Sequence, residues 1–138
     1  MRLQISRIAI VTLLAASGSQ ALAEDSGFNS CFKQAEGLFQ FKTSAIRACG
    51  LAGAGFNECY AIAKPQYLYP SAAIEACGKA GSGFTECYEI ARSIFPSPVS
   101  AINACQAATS GFSKCYAIAS KHFDFDADAV KACGSIER

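Results

Sequence analysis

The chain has one histidine, His122, and no two of its cysteines stand closer than ten residues. With a single imidazole, and with every cysteine committed to a regular frame, no Cys–His or Ser–His–Asp set is easily assembled. His122 fills a slot that Leu38, Gln66 and Ile94 occupy elsewhere in the chain, which marks a tolerant loop position. The missing C-x2-4-C spacing argues against a thiolate zinc cluster, and the missing C-x-x-C against a thiol-disulfide oxidoreductase. An excess of one charge is missing too, since the formal net charge is +1. That balance argues against a nucleic-acid groove or an anionic membrane surface as partner. The expectation is a chain with no catalytic site, no metal and no cofactor.

Long apolar runs are also scarce. Ile8 to Ala16 is one, shorter than the roughly 20 residues that a bilayer span needs. Arg2 and Arg7 lie around its start, and Ala21-Leu22-Ala23 offers small residues before Glu24. Residues 1–23 therefore read as a secretory signal, and no cysteine follows directly to take a lipid anchor. Residues 24–138 read as a single domain with no transmembrane segment. Without Arg2 and Arg7 the balance is 10 basic against 11 acidic side chains. Eight cysteines in so short a chain point to disulfides in an oxidising compartment, either secreted or bacterial periplasm.

What the chain does have is a sentence repeated four times at a period of 28 residues. It opens Gly27-Phe28…Cys31, Gly55-Phe56…Cys59, Gly83-Phe84…Cys87 and Gly111-Phe112…Cys115. It closes Ala45-Ile46…Cys49, Ala73-Ile74…Cys77, Ala101-Ile102…Cys105 and Ala129-Val130…Cys133. The repeats run 27–54, 55–82, 83–110 and 111–138. In the second, Phe56, Cys59, Tyr60, Ala63 and Tyr67 form one helical stripe, and Ala73, Ile74, Cys77 and Ala80 form another. Each repeat is thus read as two short helices, A and B, eight in all. Ser26, Ser82 and Ser110 stand where a hydroxyl could cap helix A. Gly53 and Gly81 stand where a left-handed residue could close helix B, whereas Thr109 should make its turn less comfortable. Pro70 and Pro98 suit the first position of helix B, and Asp126 could cap that helix in the fourth repeat. A repeat this short cannot bury its apolar face alone, so neighbours must supply the core. The fold class is all-α, four helix-hairpin repeats stapled by disulfides, as either an α-solenoid or a compact bundle.

Two regular cysteine pairings fit the spacing. One joins A to B inside each repeat: Cys31–Cys49, Cys59–Cys77, Cys87–Cys105 and Cys115–Cys133. The other joins B to the following A and leaves Cys31 and Cys133 over. A chain that begins with an A segment and ends with a B segment favours the first. The C-x9-C spacing resembles that of the twin C-x9-C proteins, whose motif lies along one helix. Here it encloses Gly50-Leu51-Ala52-Gly53-Ala54-Gly55, which would break one. In architecture the chain is similar to the disulfide-bridged helix pairs of secreted Sel1-like repeats, although their longer motif is not present.

The remaining candidates are acidic and aromatic. Asp124-Phe125-Asp126-Ala127-Asp128 resembles the start of a calcium loop. Ala129 replaces its turn glycine, however, and Ser135 its closing glutamate. Helix capping by Asp126, with Asp128 in the first turn, accounts for these residues more simply. Phe32, Tyr60, Tyr88 and Tyr116 form one periodic aromatic series, and Phe39, Tyr67, Phe95 and Phe123 a second; both are expected in the core. A third, Phe41, Tyr69 and Phe125, falls between A and B, with Ser97 in the third repeat. If exposed, it would line one edge of the stack as a row of rigid anchors. The expected function is therefore non-catalytic binding of an unidentified protein or peptide. The alternatives are a secreted effector (an inhibitor or a membrane-active toxin) and a small hydrolase using Glu58, Glu86 and Glu89.

Overall fold

A computed structural model describes residues 21–135, with side chains described from Gly27 onward. Most of the signal-like stretch, residues 1–20, lies outside the described residues. Among those described there are eight helices and no strand: α1 (Ala21–Ala35), α2 (Lys42–Cys49), α3 (Phe56–Ala63), α4 (Pro70–Cys77), α5 (Phe84–Ile94), α6 (Pro98–Ala104), α7 (Phe112–Ala119) and α8 (Asp126–Gly134). Odd-numbered helices are the A segments and even-numbered ones the B segments. The first A helix starts earlier than its repeat-mates and runs straight through Ser26 and Gly27.

The helices pack as a linear stack. Within each repeat A lies against B. Between repeats, α1 touches α3 and α4, and α2 touches α4. The same pattern recurs for α3 with α5 and α6, α4 with α6, α5 with α7 and α8, and α6 with α8. Among the described residues, repeats two apart do not touch, and neither does a B helix pack on the A helix that follows it. This is a solenoid, not a bundle. The four disulfides accordingly join A to B inside each repeat: Cys31–Cys49, Cys59–Cys77, Cys87–Cys105 and Cys115–Cys133, with Cα–Cα distances of 5.6 to 5.8 Å. On the chain-entropy account, each closed loop contributes about 3 kcal/mol by restricting the unfolded chain. Helices of two turns are marginal alone, so these closures matter.

The core is built from small residues around the phenylalanine of the second, third and fourth Gly-Phe pairs. Phe56, Phe84 and Phe112 are the largest fully buried side chains, set among Ala35, Ala63, Ala91 and the cystines. Each stacks on the aromatic one turn later, as in Phe56–Tyr60 and Phe84–Tyr88, with ring centroids 5.6 and 5.8 Å apart. The two aromatic series expected in the core sit at its margin instead. Most members are half-buried, and Phe123 is 44% exposed. One turn closer to the helix start, the Gly-Phe ring reaches the inter-repeat space first.

Adjacent repeats are also stitched through their turns. Gly53 N–H donates to the Ala80 carbonyl at 3.1 Å, Gly83 N–H to Ala108 at 3.1 Å and Ala107 N–H to Gly134 at 3.0 Å. The approach is so close that a Cβ on Gly83 would lie 1.9 Å from the Thr109 oxygen. Glycine is needed there for space. Gly53 and Gly81 were expected to be left-handed, but the only positive φ among the described residues belongs to Gly111, at 91°. Gly53, Gly81 and Thr109 do the same work in their turns: each carbonyl accepts from the Phe amide three residues on, at 3.1 Å. That bond asks nothing special of the residue, so threonine fits.

The expected caps differ as well. Helices α3, α5 and α7 are preceded by Gly55, Gly83 and Gly111, with no side-chain cap. The serines lie one residue too early. Ser82 Oγ instead accepts from Ser110 N–H at 3.1 Å, another stitch between repeats. Pro70 and Pro98 do open α4 and α6. Asp126 opens α8 from inside its first turn and does not cap it.

Candidate functional site

Every B helix is entered through one extended residue. Phe41, Tyr69, Ser97 and Phe125 occupy the N-cap positions of α2, α4, α6 and α8, with φ between −137° and −111° and ψ between 127° and 150°. The extended backbone turns each side chain away from the hairpin. Phe41 is 60% exposed, Tyr69 67% and Phe125 70%. Because A–B loops follow one another along the stack, these rings lie along a single edge. Leu68 joins them at 84% exposure, and Phe123 and Leu38 flank the row. Leu68 escaped the sequence reading because its repeat-mates are Gln40, Pro96 and Asp124, so periodicity gives it no support.

In the third repeat the residue at this position caps its helix. Ser97 Oγ accepts from Ser100 N–H at 3.2 Å, a standard N-cap, and also shares a hydroxyl bond of 2.9 Å with Ser100. Phe41, Tyr69 and Phe125 make no such side-chain cap; the equivalent amides of Ser44, Ala72 and Asp128 donate instead to the backbone carbonyls of these residues, at 3.0 to 3.1 Å. A cap of this kind is typically worth about 1 kcal/mol. At three of four equivalent positions, then, the chain forgoes a cap and leaves an aromatic ring in water.

A second feature runs beside the edge, where a B helix meets its successor. A groove of about 500 Å³ is lined by Phe95, Ser100, Asn103, Ala104, Lys131 and Ser135. Two repeats earlier, Phe39, Ser44, Arg47, Ala48 and Glu75 line a groove of about 320 Å³. The interval between them brings the Tyr67 hydroxyl to Asn103 Oδ1 at 3.3 Å. Lys131 Nζ lies 5.9 Å from the centre of the Phe95 ring, and so partly occupies its own groove. A third hollow, about 190 Å³, opens beside Cys115 and Cys133.

The acidic candidates do not converge. Glu86 accepts from the Ser113 amide and hydroxyl, at 3.3 and 3.0 Å, at the start of α7. Glu89 pairs with Arg92 at 3.0 Å on the surface of α5, and Glu58 is exposed in the first turn of α3. Asp126 bonds the Tyr116 hydroxyl. Burial raises that phenol above its ordinary range, and the neighbouring carboxylate and its hydrogen bond raise it further. His122 is exposed in the last A–B loop. Among the described residues, no three His, Cys, Asp or Glu side chains are grouped so as to hold a metal ion, and no helix is long and apolar enough to cross a membrane.

Compared with protein-family models, with curated proteins and with solved structures, the chain matches none.

Proposed function

We propose that the protein is a secreted or periplasmic, non-catalytic module that binds another protein or peptide along the Phe41, Tyr69 and Phe125 edge. The observation that carries this reading is the exchange of an N-cap for an exposed ring. Mostly exposed aromatics standing where a capping side chain would serve folding at least as well, repeated in register on one scaffold, have the character of interface anchors. Two-torsion side chains on short loops between disulfide-joined helices lose little freedom on binding, and Leu68 beside Tyr69 widens the apolar strip. Four disulfides suit an oxidising compartment.

The test is the triple variant Phe41→Ser, Tyr69→Ser and Phe125→Ser. It should keep the fold and its thiols oxidised while losing affinity for the protein or peptide that wild type retains, by about 30-fold or more if one ring is a hot spot. Unchanged retention of the same partner would remove the edge from the account. Leakage of lipid vesicles caused by wild type and lost in the triple variant would move the protein to the membrane-active class instead.

A further inference from the structure

The contacts that hold the stack recur from repeat to repeat, and the outer repeats carry unused halves of those contacts. On one side is the series Gly50, Gly78, Gln106 and Gly134, in which glycine makes a close contact in the second and fourth repeats and Gln106 fills the slot in the third. A Cβ on Gly78 would sit 1.9 Å from the Ala48 carbonyl oxygen of the preceding repeat, and one on Gly134 would sit 2.2 Å from Ala104. Gly50 has no such neighbour among the described residues. It is exposed, and a Cβ there would meet only the carbonyls of Ile46 and Arg47, at 3.5 and 3.7 Å. On the other side, Ala132 is the fourth-repeat counterpart of Ala48 and Ala104. Nearby positions tell the same story: Ile62 and Ile90 are half-buried against the core, while their counterpart Ile118 is 64% exposed. Cys115 is half-buried where Cys31, Cys59 and Cys87 are fully buried. Solenoid ends ordinarily present a polar outer face. These keep the residues of an interior one.

We propose that copies of this chain stack end to end, the fourth repeat of one against the first repeat of the next, with Gly50 seated on the Ala132 carbonyl and Ile118 covered as Ile90 is. The occupant is a second copy because the interior already forms this contact between the first and second repeats and between the third and fourth. One substitution between repeats fits the arrangement. Glu86 serves the Ser113 amide at the open start of α7, and its fourth-repeat counterpart is Lys114. The residue that Lys114 would meet is Asn29, the counterpart of Ser113. Helix α1 already runs through Ser26 and Gly27, so the Asn29 amide lies inside the helix and needs no acceptor. Such a contact is heterologous, extends without closing unless the stack curves into a ring, and does not depend on the edge reading. It would carry the row of Phe41, Tyr69 and Phe125 from one copy into the next.

Sedimentation velocity of the oxidised protein over rising concentration tests this, with Gly50→Arg blocking one face and Ile118→Lys the other. Both sites are exposed, so both variants should fold, as circular dichroism and the absence of free thiols would show. Should either fail to fold, Gly50→Glu and Ile118→Glu serve in their place. Wild type is expected to rise in mass from monomer to dimer and beyond, and each variant alone to stay monomeric. An equal mixture of the two is expected to form dimers and stop there, through the one intact face on each. Wild type that stays monomeric throughout, association that survives both substitutions, or a mixture that stays monomeric would each overturn the proposal.

Discussion

Replacing Phe125 separates the two roles of the N-cap position. The ring is 70% exposed, so removing it forfeits about a third of the 2–3 kcal/mol that full burial of a phenylalanine is worth, or about 0.7 kcal/mol. Alanine at position 125 should therefore destabilise the protein by about that amount. Serine should lose the same burial but gain a cap of about 1 kcal/mol, as Ser97 has. The net expectation for Phe125→Ser is between zero and about 0.5 kcal/mol of added stability, with serine about 1 kcal/mol above alanine. Ser97→Ala, the converse, should lose about 1 kcal/mol. Guanidinium unfolding followed by circular dichroism, with the disulfides intact and equal m-values, would measure all three. A loss of 2 kcal/mol or more for Phe125→Ser, approaching the roughly 3–5 typical of a core phenylalanine, would show that the ring is structural. Equal stability of serine and alanine would show that position 125 cannot host a cap. Either result refutes the reasoning that treats the exposed ring as serving something other than folding.

Other outcomes follow from the packing. Gly83→Ala places a Cβ 1.9 Å from a backbone oxygen and should cost about 3 kcal/mol or prevent folding. Gly37→Ala meets nothing within 4 Å and should be neutral or add about 0.5 kcal/mol; thermal unfolding distinguishes the two. Under limiting reductant, Cys115–Cys133 should open first, because Cys115 alone among the eight cysteines is half-buried. Alkylation and mass spectrometry would find the first labels on that pair. Burial raises the Tyr67 phenol, and burial with Asp126 raises that of Tyr116. The folded chain thus holds these protons more tightly than the unfolded one. Stability should be level below about pH 10 and fall as pH rises through the ordinary tyrosine range. Chemical unfolding across that range should show a shallower fall in the variant carrying Tyr67→Phe and Tyr116→Phe.

The period of 28 made the repeat and its paired helices legible, since Gly-Phe, the cysteines and the prolines mark each hairpin afresh. What the sequence left open was how hairpins meet. Gly50 and Gly78 are the same letter in the same slot, yet one is exposed and the other presses on a carbonyl; only the neighbouring repeat distinguishes them. Ser82 had the composition of a cap but stands one residue ahead of the helix entry, where its hydroxyl reaches the next repeat instead. Phe123 follows a periodic series whose other members are half-buried, but it lies in the fourth repeat and is more exposed. The edge was legible in Phe41, Tyr69 and Phe125 because their series breaks at Ser97, whereas Leu68 has no series at all. Solenoid over bundle was not legible, because both bury the same stripes.

The proposed role of the A–B edge is to meet the protein's partner. It is tested most directly by photo-crosslinking in the compartment where the protein resides, with a photoreactive phenylalanine analogue placed in turn at positions 41, 69 and 125. The control position is Ala54, which is also exposed but lies in a turn at the other end of the hairpins. The same adduct from the edge positions and none from position 54 is the expected result. Adducts from position 54 alone, or equally from all four, would contradict it.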